Sequence, residues 1–89
     1  MVPENIERFF REGRIHTLPR KLKTKKLILA YIAQQLATGE YSEKDINQWL
    51  SQFYDDYAIL RRLLLLDYHY ISRCKDGATY FKTKMEDDF

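Results

Sequence analysis

Apolar positions along the 89-residue chain recur at helical spacing up to about Asp67 and at strand spacing beyond it. Val2, Ile6, Phe9 and Phe10 follow the helical period, and Pro3 suits a first turn, so a short first helix is expected to end near Gly13. Arg14-Ile15-His16-Thr17-Leu18-Pro19 alternates polar and apolar residues, and Pro19 disfavours helix at Leu18; this piece reads as a short edge strand. From Thr24, an N-cap type, Leu27, Ile28, Tyr31, Ile32 and Leu36 form the stripe of a helix that Gly39 closes. Ser42 followed by Asp45 has the form of a capping box with Asp in place of Glu or Gln. Ile46, Trp49, Leu50 and Phe53 then share one face of a helix over 42–53. Asp55 or Asp56 caps a further helix to about Asp67, with Leu60, Leu63 and Leu64 inward and Ile59 and Leu66 on the flanks. Four consecutive leucines cannot all face one side, so Leu65 is expected at the core edge or against a partner.

Beyond Asp67, Tyr68 to Arg73 and Thr79 to Lys82 are rich in strand formers and flank Asp76-Gly77, a strong hairpin signal. A two-residue loop pairs Arg73 with Tyr80; a three-residue loop with a bulge pairs Arg73 with Thr79 and Ile71 with Phe81. The expected order is helix, short strand, three helices and a two-stranded wing. That is a mainly α fold with a small β-hairpin, arranged as a winged helix-turn-helix in one domain over 1–89. Its core runs from about 4 to 83, and a tail over 84–89 is expected to fray.

Composition supports a folded domain: 45% of residues are hydrophobic and 15% aromatic, too apolar for a disordered chain. One cysteine, Cys74, allows no internal disulfide, and the longest apolar run, Leu27 to Ala33, is far short of a bilayer span. A cytoplasmic protein with no membrane association is the expectation. The formal charge of +2 hides an asymmetry. Residues 1–30 hold eight Lys and Arg against three Glu, a surplus of five, and residues 31–89 hold seven basic against ten acidic side chains, a deficit of three. No acid lies between Arg14 and Lys26, and such a run meets nucleic-acid phosphate or an acidic partner when it is not simply a solvated surface.

In the expected fold the third core helix enters the major groove of double-stranded DNA and the wing lies along the backbone. The candidate DNA contacts are Tyr57, Arg61 and Arg62 on that helix, Arg73, Lys75 and Lys82 on the wing, and Lys21, Lys23, Lys25 and Lys26 on phosphate. Asp55 and Asp56 oppose this, because carboxylates at the helix start repel phosphate, and 54–82 carries a net charge of only +1, from five basic and four acidic residues. The rival expectation is a protein-interaction or dimerisation module, suggested by Leu65, Leu66 and the tyrosines Tyr54, Tyr57, Tyr68 and Tyr70. A third reading has aromatics lining a small-molecule pocket. His16, His69 and Cys74 have no metal-ligand spacing, and three glycines make no phosphate loop; neither a metal, a cofactor nor an enzymatic activity is expected. Arg73 and Lys75 flank Cys74 and could lower its pKa, but a lone strand cysteine is more often inert.

Gly13-Arg14-Ile15, Pro19, Tyr41 to Asn47, Asp55-Asp56-Tyr57, Leu60-Arg61-Arg62, Arg73, Asp76-Gly77 and Tyr80 together resemble a bacterial domain-of-unknown-function family. That family occurs alone and as the C-terminal part of helix-turn-helix transcriptional regulators. The resemblance covers about Ile6 to Lys82 and implies a winged-helix-like fold and a link to transcriptional control, with no ligand or activity. Leu65-Leu66-Asp67-Tyr68-His69-Tyr70 departs from it, lacking a glycine often seen ahead of the wing. If Asp56, Arg61, Arg62 and Tyr80 are the shared polar residues, one internal network between helix and wing accounts for them without DNA.

Overall fold

A computed structural model describes residues 2–75 and 79–83. A 3₁₀ turn over Glu7–Phe9 leads into a hairpin of β1 (Phe10–Arg11) and β2 (Arg14–Ile15). Then come α1 (Leu22–Gln35), β3 (Glu40–Ser42), α2 (Glu43–Leu50) and α3 (Tyr57–Arg62). A π turn over Leu63–Asp67 and the strands β4 (Ile71–Arg73) and β5 (Thr79–Lys82) complete the order. Two sheets result, β1-β2 and a three-stranded antiparallel β3-β5-β4.

This is a small α+β arrangement, and its element order corrects the expected winged helix. The N-terminal segment forms a hairpin where a first helix was expected, because Glu12 and Gly13 take φ of +53° and +80°. Positive φ at both central residues is the mark of the tight turn that matches strand twist, and it pairs Arg11 with Arg14 and Phe10 with Ile15. Of the expected first stripe only Ile6 is fully buried. The edge strand expected over 14–19 is confined to Arg14–Ile15. The Ile15 N–H donates to the Phe53 carbonyl at 2.6 Å and the His16 N–H to the Phe9 carbonyl at 2.9 Å. Arg14 donates to the carbonyls of Ser51 (2.8 Å) and Gln52 (3.1 Å), so the hairpin closes the C-terminal end of α2.

A second correction concerns the wing. Its expected two strands gain β3 from the segment between α1 and α2, with Tyr41 opposite Tyr80 and Ser42 opposite Thr79. Arg73 lies opposite Tyr80 and Ile71 opposite Lys82, the register of a two-residue loop; the Asp76-Gly77 turn and the 84–89 tail lie outside the described residues. The α2 cap forms as read, the Ser42 hydroxyl accepting from the Asp45 N–H at 3.1 Å. Leu29, Ile28, Ile32 and Ala33 of α1, Ile46 and Leu50 of α2, Leu60, Leu64, Ile71 and Tyr80 make one core. Trp49 and Phe53 meet edge to face at 5.0 Å on its margin.

The exit from the π turn uses no glycine. Tyr68 N–H returns to the Leu63 carbonyl at 2.9 Å and Tyr70 N–H to the Leu64 carbonyl at 2.8 Å. His69 between them takes φ of +57°, the left-handed conformation that glycine adopts without cost.

Candidate interaction surface on the third helix

Asp56 caps α3 by accepting from the Ile59 N–H at 3.3 Å, a charge-assisted bond at the positive end of the helix. Asp55, its side chain 97% exposed, pairs instead with Arg14 at 2.5 Å. Leu60 points into the core and fixes the orientation of the helix, and its two arginines then part. Arg61 turns toward α2, where it donates to Asn47 Oδ1 and lies 3.8 Å from Glu43 Oε1. The buried Tyr80 hydroxyl donates to the same Glu43 oxygen at 3.2 Å. A half-buried network of Glu43, Asn47, Arg61 and Tyr80 therefore ties α2, α3 and β5 together. Arg62 lies outside it and is exposed.

The other candidate cations separate as well. Lys82 is half-buried and donates to the Leu36 carbonyl at 3.1 Å, closing the C-terminal end of α1. Arg73 and Lys75 are exposed; Arg73 falls on the same sheet face as buried Ile71, toward the free end of the hairpin. Lys21, Lys23 and Lys26 are exposed and Lys25 half-buried around the first turns of α1, a stretch with no acid. A helix of this length puts them about 20 Å from the end that Lys82 holds. Sequence reasoning could not separate Arg61 from Arg62, because adjacent helical residues differ by less than a third of a turn and only the position of α2 decides between them.

What remains exposed on α3 and the π turn is largely apolar. Leu66 is 57% exposed, Ile59 42% and Tyr57 38%, while Leu65 is half-buried. Leu65 thus lies at the core edge, one of its two expected places, and Leu66, expected on the flank, is the exposed leucine of the run. Tyr68 stacks on Tyr70 with centroids 6.0 Å apart, and burial, then the neighbouring Asp67 carboxylate, raise the Tyr68 phenol above its ordinary pKa of 10.0. Among the described residues no group of His, Cys, Asp and Glu could hold a metal ion. Cys74 is a half-buried free thiol. A cleft of about 260 Å³ between the N-terminal segment and α1, lined by Pro3, Asn5, Ile6, Leu27 and Gln34, lies below the usual range for small-molecule sites. No helix is long and apolar enough to cross a membrane among the described residues.

Residues 14–82 match the profile of a family described as "Uncharacterized protein conserved in bacteria (DUF2087)". No curated protein and no solved structure matches the chain.

Proposed function

We propose that this chain, which belongs to that uncharacterized bacterial family, is a protein–protein interaction module that presents the outer face of α3 and the π turn. The observation that carries the reading is the exposure of Ile59 on α3 and Leu66 on the π turn that continues it, seven residues apart and so on one side of the helix. Scattered surface apolar residues need no explanation, whereas aligned ones mark contact surfaces. The acids at the start of α3 fit a protein partner better than a phosphate backbone, and two of the cations expected to meet DNA, Arg61 and Lys82, are occupied within the fold.

Site-specific photocrosslinking in bacterial cells tests this. A photoreactive residue at position 59 or 66 should give discrete protein adducts, and one at the exposed Gln48 of α2 should not. Equal yields at all three positions, or none, would refute the reading.

One observation favours a second reading, binding to DNA. Lys21, Lys23 and Lys26 sit where the helix dipole disfavours cations and no acid offsets them. Arg62, Arg73 and Lys75 are further exposed cations that such a reading would draw on. If about five phosphates are neutralised, log K should fall against log salt with a slope near −4.5. Fluorescence anisotropy with random duplex at low salt measures it, and no binding at micromolar protein would eliminate DNA.

A further inference from the structure

The π turn does more than end α3. Its closing bond reaches back five residues, from Tyr68 N–H to the Leu63 carbonyl, so residues four and five apart lie close to one line along its surface. Arg62, immediately before the turn, therefore has Leu66 and Asp67 one turn ahead on its own face, with Ile59 one turn behind. Arg62 and Asp67 are both exposed, and neither forms an ion pair or hydrogen bond with another described residue. A cation, an exposed leucine and an anion thus follow one another in that order, with no partner for either charge among the described residues.

We infer that this face pairs with the same face of a second copy of the chain, in antiparallel orientation about a two-fold axis. In that arrangement Arg62 falls opposite Asp67 of the second copy and the reverse, while Leu66 covers the aliphatic stem of Arg62 of the second copy. The pattern is self-complementary, which a two-fold interface requires. Parallel pairing sets Arg62 against Arg62 and is repulsive. A nucleic acid would meet the Asp67 carboxylate on the same face, and an unrelated protein would have to supply the matching acid and apolar group that a second copy carries by construction. From Ile59 to Asp67 the face spans only about 12 Å, smaller than a standard stable interface, so the dimer is concentration-dependent.

This inference rests on the interaction reading above and is tested apart from it. Sedimentation equilibrium of the purified chain between about 20 µM and about 1 mM should show reversible dimerisation. Arg62→Asp and Asp67→Arg, which turn two attractions per dimer into repulsions, should each weaken it at least ~10-fold, and the double variant should restore it to within ~3-fold. Circular dichroism establishes that each variant is folded. A monomer across the whole range, single variants that dimerise as the wild type does, or a folded double variant that fails to recover would each overturn the inference. A monomer that still gives protein adducts at positions 59 and 66 in cells overturns the second copy and leaves the interaction reading standing; absence of adducts removes that reading itself.

Discussion

Replacing His69 by glycine should make the protein more stable. His69 takes φ of +57° at the exit from the π turn, where a residue with a Cβ is strained by about 1–2 kcal/mol. Its ring is exposed and makes no hydrogen bond with a described residue, so truncation loses no contact. The position's defined bond, from the Thr83 hydroxyl to the His69 carbonyl at 2.7 Å, belongs to the backbone and survives the change. Glycine also gives the unfolded chain more freedom, which takes back about 0.4–1 kcal/mol. The net expectation is a gain of about 0.5–1 kcal/mol, or a Tm rise of roughly 2–8 °C in a domain of this size. Urea unfolding should show a higher midpoint at unchanged m, the signature of a pure stability change. His69→Ala keeps the strain and should lie within about 0.5 kcal/mol of the wild type; His69→Val, β-branched, should destabilise. If glycine and alanine behave alike, or glycine destabilises, the left-handed conformation at this position is refuted.

The polar network gives the next expectations. Tyr80→Phe should cost about 1 kcal/mol, the worth of one hydrogen bond. Arg61→Ala should cost roughly 1–2 kcal/mol through lost stem packing and its bond to Asn47. Both residues address the Glu43 carboxylate, so a double-mutant cycle by urea unfolding should depart from additivity by about 0.5 kcal/mol or more, and strict additivity would argue against a shared network. In the first hairpin Gly13→Ala, at φ +80°, should cost about 1–2 kcal/mol by thermal unfolding, and no loss would refute the left-handed conformation at Gly13. Spectrophotometric titration should find a tyrosine, removed in Tyr68→Phe, that ionises above 10.0. The raised pKa means that the unfolded chain releases this proton first, so the contribution of Tyr68 is present below pH 10 and declines as pH rises through the folded value. A titration indistinguishable from that of the Tyr68→Phe variant would refute it.

The helices were legible where the pattern carried its own punctuation. Ser42 with Asp45 announces the start of α2, Asp56 caps α3, and the stripe of α1 survives a three-residue error in its N-cap, Lys21 in place of Thr24. The N-terminal segment was not legible, because Val2, Ile6, Phe9 and Phe10 satisfy a helical period while Glu12-Gly13 satisfies a hairpin turn. The turn wins because Phe10 can then pair with Ile15, and because the Ile15 N–H finds the Phe53 carbonyl at the end of α2. β3 was missed for a related reason: Glu40-Tyr41-Ser42 is too short to show alternation, and only β5, distant in sequence, makes it a strand.

The surface of α3 shows how a local irregularity hides a site from sequence reasoning. A regular α-helix through Leu63-Leu64-Leu65-Leu66 turns Leu65 farthest from the core line and leaves Leu66 on the flank, which is why Leu65 is expected at the core edge or against a partner. A π turn advances less per residue. It therefore keeps Leu64 and Leu65 nearer the core, as their buried and half-buried positions show, and swings Leu66 to the side opposite Leu60. The same rotation brings Leu66 and Asp67 onto the line of Arg62. Because Tyr68 and Tyr70 both bond back into the turn, the irregularity that exposes Leu66 also sets where β4 begins. A variant that restored a regular helix at the leucine run would thus have to displace the β4 strand as well as turn Leu66 back to the flank of the stripe, which couples the proposed interface to the packing of the sheet.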